Sequence, residues 1–140
     1  MRIGILGLFL VLLGLSPVQA QQAYMHNGST MTVTVSGKSV EISYLSPRAG
    51  LPVQSGTRLF EGGVNEYSRK IEGTAWIFHS RCNRAYSYWV VGDFENGDAQ
   101  LHLVGAAPVV DPRTCLVVGH SRESANAHLL FHNDCETIVE

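Results

Sequence analysis

Polar and apolar residues alternate along most of this chain with a period of two. "MTVTVS" sets Met31, Val33 and Val35 against Thr32, Thr34 and Ser36. "SVEISYL" sets Val40, Ile42 and Tyr44 against Glu41 and Ser43. Successive side chains of a strand point to opposite faces, so each segment reads as a half-buried strand. Gly37-Lys38 lies between them, and Gly at the first position of a two-residue loop suits a type II′ turn. The pattern predicts a hairpin over Met31–Leu45.

The alternation continues downstream. "TRLFEG" reads as a short strand. "GTAWIFH" opposes Trp76 and Phe78 to Ala75, Ile77 and His79, and "AYSYWVVG" opposes Tyr86, Tyr88 and Val90 to Ser87, Trp89 and Val91. Aromatic and β-branched residues suit such a surface. Asn96-Gly97 is a type I′ turn signal before "AQLHLVG", and "TCLVVG" and "AHLLF" complete the set. "SPRAGLPVQSG", rich in Pro, Gly and Ser, is a loop, and "GGVNEYSRK" is a further connection. No amphipathic helix longer than two turns is apparent, and no repeat or linker divides the chain. About eight strands at this spacing predict an all-β fold, a small antiparallel barrel or sandwich.

The first twenty residues, "MRIGILGLFLVLLGLSPVQA", break the pattern. A positive Arg2, an apolar run from Ile3 to Leu15, Pro17, and small residues at Val18 and Ala20 form the pattern of a secretory signal peptide. The run is short for a bilayer span, which needs about 20 apolar residues. The expected organisation is a leader over 1–20 and a single β-rich domain over 21–140. The expected location is the periplasm or the extracellular space, with no membrane span in the mature chain. Without Arg2, nine basic residues face twelve acidic ones, and no basic run exists. This balance gives no reason to expect nucleic acid or an anionic membrane as partner.

Candidate chemistry is sparse. "AHLLFHNDC" holds His128, His132 and Cys135. On a helix the two histidines would share a face as a zinc pair does. On a strand they share a face but lie roughly 13 Å apart at about 3.3 Å per residue, too far to hold one metal directly. The strand reading is preferred, and neither metal nor cofactor is expected. "SGKS" at 36–39 lacks the leading Gly of a phosphate loop and its following helix. "GHSRE" at 119–123 lacks the closing Gly of a nucleophile elbow. "NGS" at Asn27 fits a glycosylation acceptor, and in a bacterial protein reads as a turn. Cys82, Cys115 and Cys135 allow three pairings, and the residues alone do not choose among them.

Several segments together carry a resemblance: "YMHNGSTMTV", "SYLSPRAGL", "GTRLFEG", "GTAWIF", "RCNRAYSYWVVG", "GAAPVVDPRTC" and "LVVGHS". Their order and wording resemble a small β-rich domain of alphaproteobacterial secreted proteins, those of rhizobia and their relatives especially. Similar domains occur alone behind a signal peptide or attached to larger proteins, including caspase-like ones. The resemblance runs from Tyr24 to about His120. It implies a secreted domain with one internal disulfide and brings no catalytic residues. Its segments contain Cys82 and Cys115, which favours that pair and leaves Cys135 outside.

Two classes of function follow. The first is a non-enzymatic binding or accessory domain, in a sharper form an inhibitor of a cell-wall hydrolase, with an envelope or secreted protein as partner. Trp76, Tyr86, Tyr88 and Trp89 are its candidate contact surface, with core packing as their competing role. The second is a small hydrolase or metal-dependent enzyme. Clustering of His79, His102, His120 and His128 in one pocket would favour it, and dispersal would favour binding.

Overall fold

Eight of the strands close on themselves. The computed structural model describes residues 19–133. Its strands are β1 (Gln19–His26), β2 (Ser29–Ser36), β3 (Ser39–Ser46), β4 (Arg58–Val64), β5 (Ile71–His79), β6 (Arg84–Glu95), β7 (Gln100–Val104), β8 (Ala107–Val110), β9 (Val117–Ser121) and β10 (His128–His132). The barrel order is β1-β10-β7-β6-β5-β4-β3-β2, antiparallel throughout, while β8 and β9 form a separate two-stranded ribbon. The only helical turn among the described residues is Ala125–Ala127. The fold is therefore all-β, a closed antiparallel barrel of eight strands.

The expected hairpin is present, with Ser36 opposite Ser39 and Gly37 at φ +60°. Lys38 keeps a negative φ, as a type II′ turn requires. The "NGS" segment is also a turn: Asn27 and Gly28, at φ +46° and +79°, join β1 to β2. Both positive angles fit a type I′ turn. At Asn96-Gly97 the chain does reverse, but over four residues, since Glu95 pairs with Gln100. Asn96, Gly97 and Asp98 all take positive φ there.

The alternation carries through the barrel wall. Val33, Ile42, Phe60, Ala75 and Tyr88 are consecutive cross-strand partners from β2 to β6, and all are buried. On the next inward row, Val40, Gly62, Gly73 and Val90 follow one another. A Cβ on Gly62 would run into the Glu72 carbonyl oxygen, and one on Gly73 into that of Glu61. Only glycine lets β4 and β5 approach closely enough to turn this corner of a small barrel.

Among the described residues, the registered pair between β1 and β10 is Met25 with His132. Side chains from β1 supplement it. The His26 Nδ1–H donates to the Leu130 carbonyl at 2.9 Å, and the imidazole stacks on Phe131 with centroids 4.6 Å apart. The Tyr24 hydroxyl donates to the Asp98 carbonyl at 2.8 Å.

The structure assigns two segments differently from the pattern. The pattern gives "TCLVVG" as a strand among the eight candidates. Thr114 to Leu116 instead form a loop, and Val117–Ser121 leave the barrel as β9, paired with β8. β1 fills the vacant wall position, although its exposed "QAQQA" shows no inward apolar face. Its polar half is held by pairing along β2 rather than by burial. β1 starts at Gln19, so the remainder of the expected leader lies outside the described residues, as does Cys135.

Candidate functional site

One mouth of the barrel is a cavity of about 330 Å³. Its floor is core: Tyr44, Leu59, Tyr88 and Leu129. The long β3–β4 loop brings Arg48, Leu51 and Pro52 to the rim. The β1–β2 turn brings His26 and Asn27, the end of β5 brings Trp76, Phe78 and His79, and the 3₁₀ turn brings Asn126. Loops at the end of a rigid barrel are a common place for a binding site.

The protonation states follow from the geometry. The Leu130 carbonyl can only accept, so His26 carries its proton on Nδ1. Its Nε2 then accepts from the Asn27 amide at 3.3 Å. Burial lowers the His26 pKa below 6.5, the carbonyl bond opposes that, and Arg48 and His132 add to the lowering. Burial raises Tyr44, with Arg48 opposing. Burial, then the neighbouring Tyr44 phenol, pushes Tyr88 up to about 12. Tyr88 stays protonated and donates to the Asn126 carbonyl at 2.5 Å. The His79 Nδ1 is buried and has no hydrogen-bond partner among the described residues.

The four aromatic candidates separate. Trp76 and Tyr88 line the mouth. Tyr86 donates to the Cys115 carbonyl at 2.8 Å, with the Arg84 guanidinium 5.5 Å from its ring centroid. Trp89 lies on the outer wall, 58% exposed, beside an open trough lined by Glu41, Glu61 and Glu72.

The histidines separate as well. His79 is at the mouth, and His120 is exposed on β9. His102 and His128 meet on adjacent wall strands, with ring centroids 5.6 Å apart and His102 Nε2 3.4 Å from His128 Nδ1. His128 and His132 lie on one strand, with Leu129 and Phe131 turned into the core between them. Among the described residues, no three His, Cys, Asp or Glu side chains converge as a metal site would require. Ser121 of "GHSRE" uses its hydroxyl oxygen to accept from the Glu123 and Ser124 amides, at 3.1 and 3.2 Å.

The ribbon is clamped to the barrel. Cys82, in the β5–β6 turn, and Cys115, in the β8–β9 loop, form a disulfide with Cα atoms 5.6 Å apart. Beyond it the ribbon exposes Val109 (42%), Leu116 (61%), Val117 (43%) and Val118 (65%). Arg81 and Arg84 lie either side of Cys82–Asn83, Arg113 is in the β8–β9 loop and Arg122 follows β9, all exposed and without an ion pair among the described residues. No protein-family model, curated protein or solved structure matches the chain.

His26, Tyr44 and Arg48 escaped sequence reasoning as site residues. Tyr44 and His26 look like ordinary strand positions, and Arg48 is one charge in a turn-rich loop. The available signal was that this loop is the longest connection between two barrel-strand candidates in the first half of the chain.

Proposed function

We propose that this chain is a non-enzymatic binding domain of the periplasm or extracellular space, and that it holds a partner protein through the β8–β9 ribbon. The observation that carries this reading is the exposure of four large apolar side chains, Val109, Leu116, Val117 and Val118, on a disulfide-clamped ribbon. Of seven strongly exposed large apolar residues among those described, these are four. Such a concentration marks an interaction surface more often than it marks packing. The outer edge of β9 also carries no strand partner in its sheet, so an extended segment of the partner can add to it. The flanking arginines call for an apolar patch with an acidic rim on the partner.

The disulfide, the leader pattern and the resemblance to secreted alphaproteobacterial domains support the compartment. Among the described residues no helix is long and apolar enough to cross a membrane. In its finer form the reading is an inhibitor of a cell-wall hydrolase, supported by small size, compartment and a rigid exposed ribbon.

The test is capture from envelope extract by immobilised protein, beside a Leu116→Ser/Val118→Ser variant and an Arg113→Glu variant. A partner held by the parent and lost by both folded variants is expected. Equal capture by all three overturns the ribbon reading. A turbidity assay on peptidoglycan with a muramidase tests the finer form, and undiminished lysis at saturating protein refutes it.

A further inference from the structure

We infer that the barrel mouth is a binding site for a small molecule that carries one anionic group, such as a carboxylate, on a flat apolar body. This site lies apart from the ribbon and goes beyond the protein-binding reading.

Size and shape come first. At about 330 Å³ the cavity falls at the small end of ligand pockets, with a packed floor and a loop-built rim. Leu51, Pro52, Trp76 and Phe78 supply apolar walls, two of them aromatic. These suit a planar ring system.

Charge selects the anion. Among the described residues, the lining contains no Asp or Glu, and Arg48 is its permanent cation. Arg48 is exposed, and its guanidinium has no ion pair among the described residues. The other large concavity, the outer trough, has the opposite character, with Glu41, Glu61 and Glu72 in its lining. In a chain of net charge −2, the described lining of the mouth thus carries a cation and no carboxylate.

Unsatisfied hydrogen bonding locates the head group. His79 lines the mouth, and its buried Nδ1 has no partner among the described residues. Such an atom costs stability unless something pairs with it. A carboxylate seated on the Arg48 fork would pair that cation, and its second oxygen could accept from His79 Nδ1–H once the ring turns that atom toward the cavity. His26 is committed to Leu130 and Asn27, and Tyr88 to Asn126, so they shape the pocket and do not compete for the anion.

The experiment uses 1-naphthoate as probe, with the isosteric neutral 1-naphthamide as control. Binding is measured by calorimetry and by the indole N–H resonances of the two tryptophans. Saturable binding of 1-naphthoate is expected, moving the Trp76 signal and leaving that of Trp89 in place. The amide, and the exposed-site variant Arg48→Met, should each bind roughly tenfold or more weakly, the scale of a lost charge-assisted contact. His79→Phe should weaken naphthoate more than naphthamide. The Leu116→Ser/Val118→Ser variant should bind the probe like the parent, which separates this site from the ribbon. No saturation, equal affinity for acid and amide, or an unaltered Arg48→Met variant would each overturn the inference.

Discussion

His26 joins stability and pH at the single residue. Its ring is buried, stacks on Phe131 and ties β1 to Leu130 across the β1–β10 seam. Burial holds its pKa below 6.5, so the native side chain stays neutral where an unfolded histidine takes up a proton. In that interval the unfolded state binds more protons. The His26 contribution is therefore present above pH 6.5 and is lost as pH falls toward the native value. Replacing His26 with Gln should cost about 1–3 kcal/mol at pH 7.5 through lost packing and stacking. It should also flatten the decline in stability between pH 7 and 5. Urea denaturation of both proteins at several pH values checks this, and parallel pH profiles would assign the decline to other groups. Tyr88→Phe removes the donor to the Asn126 carbonyl and should cost about 1–2 kcal/mol, read from the same denaturation curves.

At the scale of the element, the ribbon and the barrel separate energetically. Neither Cys82 nor Cys115 lies in a barrel strand, yet their bond closes a loop with a sequence separation of 33. On the chain-entropy model such a loop stabilises by about 3–4 kcal/mol. Its local effect is to hold the loop from Asp111 to Leu116 against Tyr86. A Cys82→Ala/Cys115→Ala variant should keep the strand-rich circular dichroism of the barrel while losing up to that amount of stability. It should also be cut by trypsin at Arg113 much faster than the oxidised parent. Mass analysis of timed digests reports this, and unchanged cleavage at Arg113 would mean that the ribbon is held by packing alone.

At the scale of the whole molecule, closure depends on backbone approach as well as on apolar area. Gly62 and Gly73 face one another on neighbouring strands, each against the other strand's carbonyl. At Gly73 the nearest atoms are all backbone, so a side chain there has no flexible neighbour to displace and the corner itself must open. Gly73→Val should cost more than about 3 kcal/mol, above the usual range for overpacking, because backbone resists where side chains would yield. Loss of the cooperative thermal transition is the expected readout. A variant melting within a few degrees of the parent would show that the corner has slack. The same closure carries the four chain segments of the mouth to one end of the barrel, so an opened corner should also abolish probe binding there.

The local features were legible in the sequence, since each rests on neighbours along the chain. The inward runs Met31-Val33 and Val40-Ile42-Tyr44, the turn at Gly37-Lys38, the turn at Asn27-Gly28 and the strand at "AHLLF" follow from a side-chain period of two and from glycine and asparagine at positive φ. β1 was not legible because its polar half is held by pairing with β2, and the pairing of β9 with β8 outside the barrel was not legible because apolar alternation does not say which partner covers a strand. The cysteine pair came from the resemblance, and the residues alone left three choices. The mouth belongs to the tertiary structure altogether. His26, Arg48, His79 and Asn126 are separated by 22, 31 and 47 positions, and no periodicity relates them. Side-chain alternation specifies which residues face inward, but strand order and the bending of the wall at glycine decide which of them meet.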